Sequence, residues 1–264
     1  MPIRFERPVR VLTQDEFRAI AYEVVGHAFA IHKEMGRFFD EQVYQNELHS
    51  RLGQRAEREF LIHLEYAGFR KTYRIDLLVD NGAVFEIKTA SQLTNTHRHQ
   101  LIQYLMMTGL QHGKLLNFRP EQVEHEFVNC SITAAERRQF QTRFLDWNAG
   151  DHVYQFFQSE LQQLLEDWGT GLQVLAYEEA LAHQLGGLDR VEKDLDVISR
   201  GRRIGSKRVN LLDPETAFRI TVLQDDLESY RTHLLRLLHH TNLRRILWAN
   251  IQHREIQLTA ICKS

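Results

Sequence analysis

Apolar residues first recur at helical spacing after Thr13, where Phe17, Ile20, Ala21, Val24, Val25, Ala28 and Ile31 fall on one face. Thr13-Gln-Asp-Glu16 has the form of a capping box ahead of that face, and Gly36 supplies a stop. The pattern predicts a helix between them. A second helix is expected from a cap at Asp40 to Leu52, with Gly53 beyond it and Glu41, Tyr44, Glu47 and Leu48 on one mixed face. From Glu57 to Tyr66 the chain alternates, which predicts a strand. Two β-rich arms follow, Tyr73–Val79 and Ala83–Lys88, joined at Asp80-Asn-Gly82. Leu101, Ile102, Leu105 and Met106 return to helical spacing within Thr94–Thr108, and Lys114–Phe118 and Glu124–Ile132 read as two more strands. The first half is therefore expected to run α-α-β-β-β-α-β-β, a mixed α/β (α+β) sheet.

The hairpin holds three chemically capable groups, Asp76, Glu86 and Lys88. Two registers are open to it. A two-residue turn at Asn81-Gly82 puts Asp76 and Glu86 on opposite faces, because strand side chains alternate. A three-residue turn, read here as type I over Asp80-Asn81 with Gly82 left-handed and bulged, makes opposed residue numbers add to 162 and sets Asp76 against Glu86. Opposed Cβ atoms lie roughly 5 Å apart, close enough for two carboxylates to share one cation. Lys88 then projects from the same face. Taken alone, these residues read more readily as a cross-strand ion pair on a solvated face than as a metal site.

Composition narrows the class. The chain has 264 residues, 43% of them hydrophobic, enough for one large core or two ordinary ones. No apolar run approaches the roughly 20 residues needed to cross a bilayer, and Met1-Pro-Ile-Arg-Phe-Glu6 lacks the apolar core of a signal peptide. A cytoplasmic location without membrane contact is expected. Cys130 and Cys262 have no metal-ligand spacing, which argues against a disulfide framework or a zinc site. A net charge of −2 gives no global basic signal, so any nucleic-acid contact must be local.

Gly36 followed by Glu41-Gln-Val-Tyr44, then Arg74-Ile-Asp-Leu-Leu-Val79, Glu86-Ile-Lys88, Gln100-Leu-Ile-Gln-Tyr104 and Gly113-Lys-Leu-Leu-Asn-Phe118, resembles the GxxExxY family of the PD-(D/E)XK nuclease superfamily over about residues 15–130. The segment between Gly36 and Glu41 is longer than the family's name implies. The resemblance implies a restriction-endonuclease-like αβββαβ core and Mg²⁺- or Mn²⁺-dependent cleavage of phosphodiester bonds, with DNA as the substrate. It places Asp76, Glu86 and Ile87 at the metal, Lys88 at the water or scissile phosphate, Glu41 as an added acid, and Gln100 and Tyr104 near the phosphate or metal shell. Asp76, Glu86, Lys88, Glu41, Gln100 and Tyr104 form the expected catalytic set. His97 and His99 lie close by in sequence, but exposed histidines of this kind are mostly inert.

A shift of 133 residues, without a gap, lays the second half on the first. Gly36 meets Gly169, Tyr44 meets Tyr177, Leu48 meets Leu181, Phe85 meets Phe218, Leu101 meets Leu234 and Asn117 meets Asn250. This register predicts a duplicated domain arranged as an intrachain pseudo-dimer: residues 1–132, a linker helix at 133–147, and a second copy at 148–264. The candidate catalytic positions change class. Glu41 meets Val174, Asp76 meets Val209, Glu86 meets Arg219, Lys88 meets Thr221, Gln100 meets His233 and Tyr104 meets Leu237. The second copy is thus expected to be catalytically degenerate and to serve substrate or partner binding. Arg200–Arg208 has five basic residues and no acidic one, so Arg202, Arg203, Lys207 and Arg208 are its candidate nucleic-acid contacts. A solvated charged loop is the plainer reading of the same run. The competing function is a non-catalytic nucleic-acid-binding or protein-scaffold module of a DNA repair or defence system; under either reading the chain is expected to be a monomeric pseudo-dimer or a homodimer, with room for a protein partner.

Overall fold

The computed structural model describes residues 2–263. The chain divides into two compact units, Met1–Glu65 with Arg70–Ala134, and Tyr66–Phe69 with Ala135–Ser264. Each contains a six-stranded mixed sheet with helices packed on it. Among the described residues, no helix is long and apolar enough to cross a membrane, and no disulfide joins Cys130 to Cys262.

The first unit runs β1 (Ile3–Phe5), α1 (Gln14–Met35), α2 (Glu41–Leu52), β2 (Ala56–Tyr66), β3 (Phe69–Val79), β4 (Ala83–Lys88), α3 (Asn95–Thr108), β5 (His112–Asn117) and β6 (Glu124–Asn129). Strand order follows chain order, with β4 and β5 parallel and the pairs β1–β2, β3–β4 and β5–β6 antiparallel. The Thr13 capping box forms as the sequence predicts: Thr13 Oγ1 accepts from the Glu16 N–H, and Glu16 accepts from the Thr13 N–H at 2.8 Å. α1 and α2 share one core with Leu77, Val79, Ala83, Phe85, Ile87, Leu116 and Phe118, which alternation places on one face of the sheet. The opposite face, carrying Glu86 and Lys88, belongs to α3. Gly113 makes that approach possible, because a Cβ there would lie 2.8 Å from a Leu101 methyl.

The hairpin register is the three-residue one: Leu77 pairs with Phe85, Leu78 with Val84 and Val79 with Ala83. Its turn has the opposite hand to the one expected. Asp80 and Asn81 take the positive φ values, 50° and 56°, and Gly82 does not. The Gly82 N–H closes the turn on the Val79 carbonyl at 3.1 Å, the pattern of a type I′ turn, which suits the twist of paired strands and which Asp and Asn tolerate. Gly82 is required for space: a Cβ there would run into the Arg10 carbonyl oxygen and come within 2.8 Å of Leu12 Cγ.

The second unit runs α4 (Ala134–Arg137), β7 (Gln141–Leu145), α5 (His152–Trp168), α6 (Val174–Gln184), α7 (Leu188–Val191), β8 (Glu192–Ser199), β9 (Arg202–Asp213), β10 (Thr216–Thr221), α8 (Leu227–His239), β11 (Arg245–Ile251) and β12 (Glu255–Cys262). The expected linker helix at 133–147 does not form. Only one turn at α4 is helical, and β7 joins the sheet edge in parallel with β12, Gln141↔Glu255 through Leu145↔Thr259. There the sheet satisfies the segment's backbone groups.

From β8 to β12 the second sheet repeats the pairing of β2 to β6, with parallel strands at the same place, β10 and β11. The 133-residue shift carries β4 onto β10 end to end. Leu211↔Ala217 and Asn210↔Phe218 occupy the shifted positions of Leu78↔Val84 and Leu77↔Phe85. Two side-chain anchors repeat as well. The Tyr44 hydroxyl donates to the Gly36 carbonyl at 2.8 Å, and Tyr177 to Gly169 at 2.6 Å. Asn117 exchanges two hydrogen bonds with Ala90, and Asn250 exchanges two with Leu223.

Candidate active site

The two strands of the hairpin place Asp76 and Glu86 beside each other, and β4 sets Lys88 two residues further along the same face. Paired backbone contacts end at Leu77 and Phe85. Beyond that point the Asp76 carboxylate takes over, accepting from the Ile87 N–H at 2.8 Å. Lys88 Nζ lies 2.7 Å from Glu86 Oε1, 3.8 Å from Glu41 Oε2 and 4.0 Å from Asp76 Oδ2. Glu41 begins α2, and its other oxygen accepts from the Thr89 N–H at 3.2 Å. The start of α2, the C-terminal half of β3 and the end of β4 thus converge on one ammonium group.

Burial is graded across this cluster. Glu86 is fully buried and the Lys88 side chain is 10% exposed, whereas Asp76 and Glu41 are 22% and 46% exposed. Burial, and then the charge of Asp76, pushes the Glu86 carboxyl up to about 8. Burial also raises Asp76, against the Ile87 N–H and the Lys88 charge. For Lys88, desolvation works downward, but the attraction of Glu86, Asp76 and Glu41 outweighs it and the net shift is upward. Three carboxylates surround one ammonium, so the fully ionised cluster carries two uncompensated negative charges. Glu86 Oε2 is buried and has no hydrogen-bond partner. An orphaned buried carboxylate oxygen is costly in isolation.

Among the described residues, no three His, Cys, Asp or Glu side chains form a group able to hold a metal ion. The donor chemistry nonetheless fits a hard divalent cation. Mg²⁺ is commonly held by one or two protein carboxylates and keeps several waters. Asp76 and Glu86 supply such a pair, and the free Glu86 oxygen and the excess negative charge both lack a counterpart.

Gln100 and Tyr104 reach the same region from α3, with Gln100 Nε2 donating to the Tyr104 hydroxyl at 3.0 Å. Burial, followed by the charges of Glu86 and Asp76, raises the Tyr104 phenol. The phenol keeps its proton at neutral pH. Glu47 pairs with Arg51 at 2.8 Å, and His97 Nδ1 accepts from the Thr94 N–H as part of the α3 cap. Neither residue joins the cluster. Sequence reasoning missed Gln45, which is buried one turn after Glu41, donates to the Asp76 carbonyl and bonds Glu59 at 3.0 Å. Its i+4 spacing from Glu41 was the available signal.

The counterpart region of the second unit has different chemistry. Val209 is buried in the place of Asp76. Thr221, in the place of Lys88, donates to Asn250 at 2.7 Å and accepts from Trp248 Nε1 at 2.8 Å. Glu178, the counterpart of Gln45, accepts from the Ile220 N–H and faces Arg219; burial raises its carboxyl, against both. Of the basic run, Arg203 pairs with Asp196 at 2.5 Å, and Arg208 lies 3.5 Å from both Glu192 and Asp194. Arg202 and Lys207 are exposed. A cavity of about 690 Å³ lies in the first unit on the sheet face opposite the acidic cluster, lined by Phe17, Tyr22, Phe29, Lys114, His125 and Phe127 among others.

Residues 18–129 match the family model of the PD-(D/E)XK nuclease superfamily. The matched segment contains Glu41, Asp76, Glu86, Lys88, Gln100 and Tyr104. Among solved structures, one titled "Crystal structure of SSO0001" is similar at 23% identity over 45% of this chain and 65% of that chain, with a TM-score of 0.30. The chain therefore spans less than two thirds of that protein's length. No curated protein matches at a significant level.

Proposed function

We propose that the first unit is a divalent-metal-dependent nuclease acting on DNA, and that the second is a degenerate copy without catalytic groups of its own. The observation that carries this reading is the convergence of Asp76, Glu86 and Glu41 on Lys88, inside the segment that matches the nuclease model. Asp76 and Glu86, with the backbone at Ile87, would hold Mg²⁺ or Mn²⁺, which supplies Lewis-acid stabilisation of the phosphorane charge and an activated water.

The protein's own groups divide the remaining work. Lys88, kept protonated by its three acidic neighbours, serves as a positive charge toward a non-bridging phosphate oxygen or the attacking water, which favours electrostatic stabilisation over general-base action. Glu41 tethers the chain at Thr89 and adds negative charge at the mouth of the site. Gln100 occupies the oxygen of Tyr104 as an acceptor, leaving the phenolic proton to donate to phosphate or water. In the second unit, Arg202 and Lys207 are the basic residues best placed to meet phosphates, since Arg203 and Arg208 already have acidic partners on β8.

The test is incubation of the purified chain with labelled single-stranded, duplex and branched DNA, and with RNA, in Mn²⁺ or Mg²⁺. DNA cleavage that disappears in Asp76→Ala supports the reading. Cleavage that survives Asp76→Ala refutes the site, and nucleic-acid binding without cleavage by the wild type favours the non-catalytic module.

A further inference from the structure

We infer that the loop between α1 and α2 is a stacking platform for an unpaired nucleotide beside the active site, an inference that rests on the nuclease reading. Phe38 projects from this loop with 74% of its surface exposed, and Phe39 follows at 46%. The Arg37 guanidinium lies 5.1 Å from the Phe38 ring centroid, and that of Arg119 lies 5.8 Å away. An exposed aromatic ring with two guanidinium groups over it is a combination that takes a bare base by stacking, on the ring or on a guanidinium plane, and a phosphate on its flank.

The platform is joined to the site through one residue. Arg119 Nε donates to the Thr89 carbonyl at 3.2 Å, and the Thr89 N–H donates to Glu41 at 3.2 Å. Thr89 directly follows Lys88 in the chain. A nucleotide held at Phe38 would therefore have its backbone led toward the acidic cluster.

The fold itself does not call for these side chains. In the first unit the loop is anchored by Tyr44, whose hydroxyl donates to Gly36 and accepts from the Phe39 N–H at 3.2 Å. In the second, Tyr177 does the same with Gly169 and the Leu172 N–H, also at 3.2 Å. Between equivalent anchors the second unit has Thr170 and Gly171 for Arg37 and Phe38, and Leu172 for Phe39. It has Gln252 for Arg119. The unit that lacks the acidic cluster also lacks the exposed ring and both guanidinium groups. The shared element is the anchor; the platform belongs to the unit with the candidate site.

Bases in a duplex are stacked and paired, so the platform should favour single strands, overhangs and frayed ends. The test compares wild type, Phe38→Ala and Phe38→Trp on a labelled single strand and on its blunt duplex. Cleavage in Mn²⁺ and binding by fluorescence anisotropy are both read. Phe38→Ala should weaken single-strand binding about tenfold or more, raise KM for that strand with little change in kcat, and leave duplex binding and the melting temperature unchanged. Phe38→Trp should retain single-strand affinity and show indole quenching by the single strand beyond that of the wild type. If the wild type cleaves DNA but Phe38→Ala leaves single-strand affinity and KM unchanged, the platform is refuted while the nuclease reading stands. A wild type that neither binds nor cleaves any nucleic acid removes both.

Discussion

Glu86 makes the stability of the first unit depend on pH in a direction opposite to that of most carboxylates. Its folded-state value, about 8, lies above its ordinary value of 4.5, so the folded unit holds an extra proton between those limits. Without metal, stability should therefore be greatest at the acidic end of the window and fall as pH climbs through it. One proton corresponds to about 1.4 kcal/mol per pH unit, a ceiling of roughly 5 kcal/mol over the window, reduced by coupling to Lys88 and Asp76. At about 2–4 °C per kcal/mol, a melting temperature measured in EDTA should drop by a few degrees per unit between pH 5 and 8. Asp76, also raised, adds its share toward the acidic end, while Lys88 changes its contribution only above its ordinary 10.5. Glu86→Gln keeps the side chain's size and removes the titration, so its profile should be much flatter. Mg²⁺ binds the deprotonated form; at a hundredfold excess over Kd it should restore about 2.7 kcal/mol to the wild type at pH 8 and nothing to Glu86→Gln. Calorimetry or thermal fluorescence across pH 5–9, with and without metal, reads all of this. Equal slopes for the two proteins, or a wild type that gains stability with rising pH, would refute the reasoning.

Gly82→Ala drives a methyl into the Arg10 carbonyl and Leu12, and should cost about 1–3 kcal/mol in denaturant unfolding without altering the acidic cluster. With one such cluster proposed among the described residues, supercoiled plasmid should accumulate nicked circles before linear product; immediate linearisation at low protein concentration would argue against a solitary site. Neutralising Arg202 and Lys207 together should weaken DNA binding and lower its salt slope by up to about two, whereas Arg203→Gln alone, already ion-paired, should do less. Salt-dependent anisotropy titrations separate the two variants.

Much of this organisation is legible in local signals. The Thr13 cap, the stop at Gly36 and the alternation before Tyr66 act within a few residues, and each produced the expected element. The 133-residue shift was readable because glycines, tyrosines and core positions carry the same backbone demands in both halves. Arithmetic on Asp76 and Glu86 made the three-residue register a condition of the metal site without choosing it over the two-residue one, and the hand of the turn was hidden as well: Asp80 and Asn81 both accept positive φ, and the crowding that makes Gly82 a glycine comes from Arg10 and Leu12, some 70 residues earlier in the chain. The strand at Gln141–Leu145 was hidden because its partner, Glu255–Thr259, is more than 110 residues away. The basic run looked unopposed for the same reason; Glu192, Asp194 and Asp196 reach it only across the β8–β9 pairing. Phe38 needed the position of Arg119 before its chemistry could be seen.

Every residue of β4 is buried, and the strand is paired on both sides, with β3 and with β5. Glu86 and Lys88 therefore sit on one of the least exchangeable stretches of the first unit, where amide protons should be released only by its global opening. The lifetime of the Glu86–Lys88 pair is then the unfolding lifetime of the unit, whereas Asp76 and Glu41, 22% and 46% exposed on other elements, are open to local motion. Control over such a site must come from outside the strand, through what reaches it and what occupies its mouth.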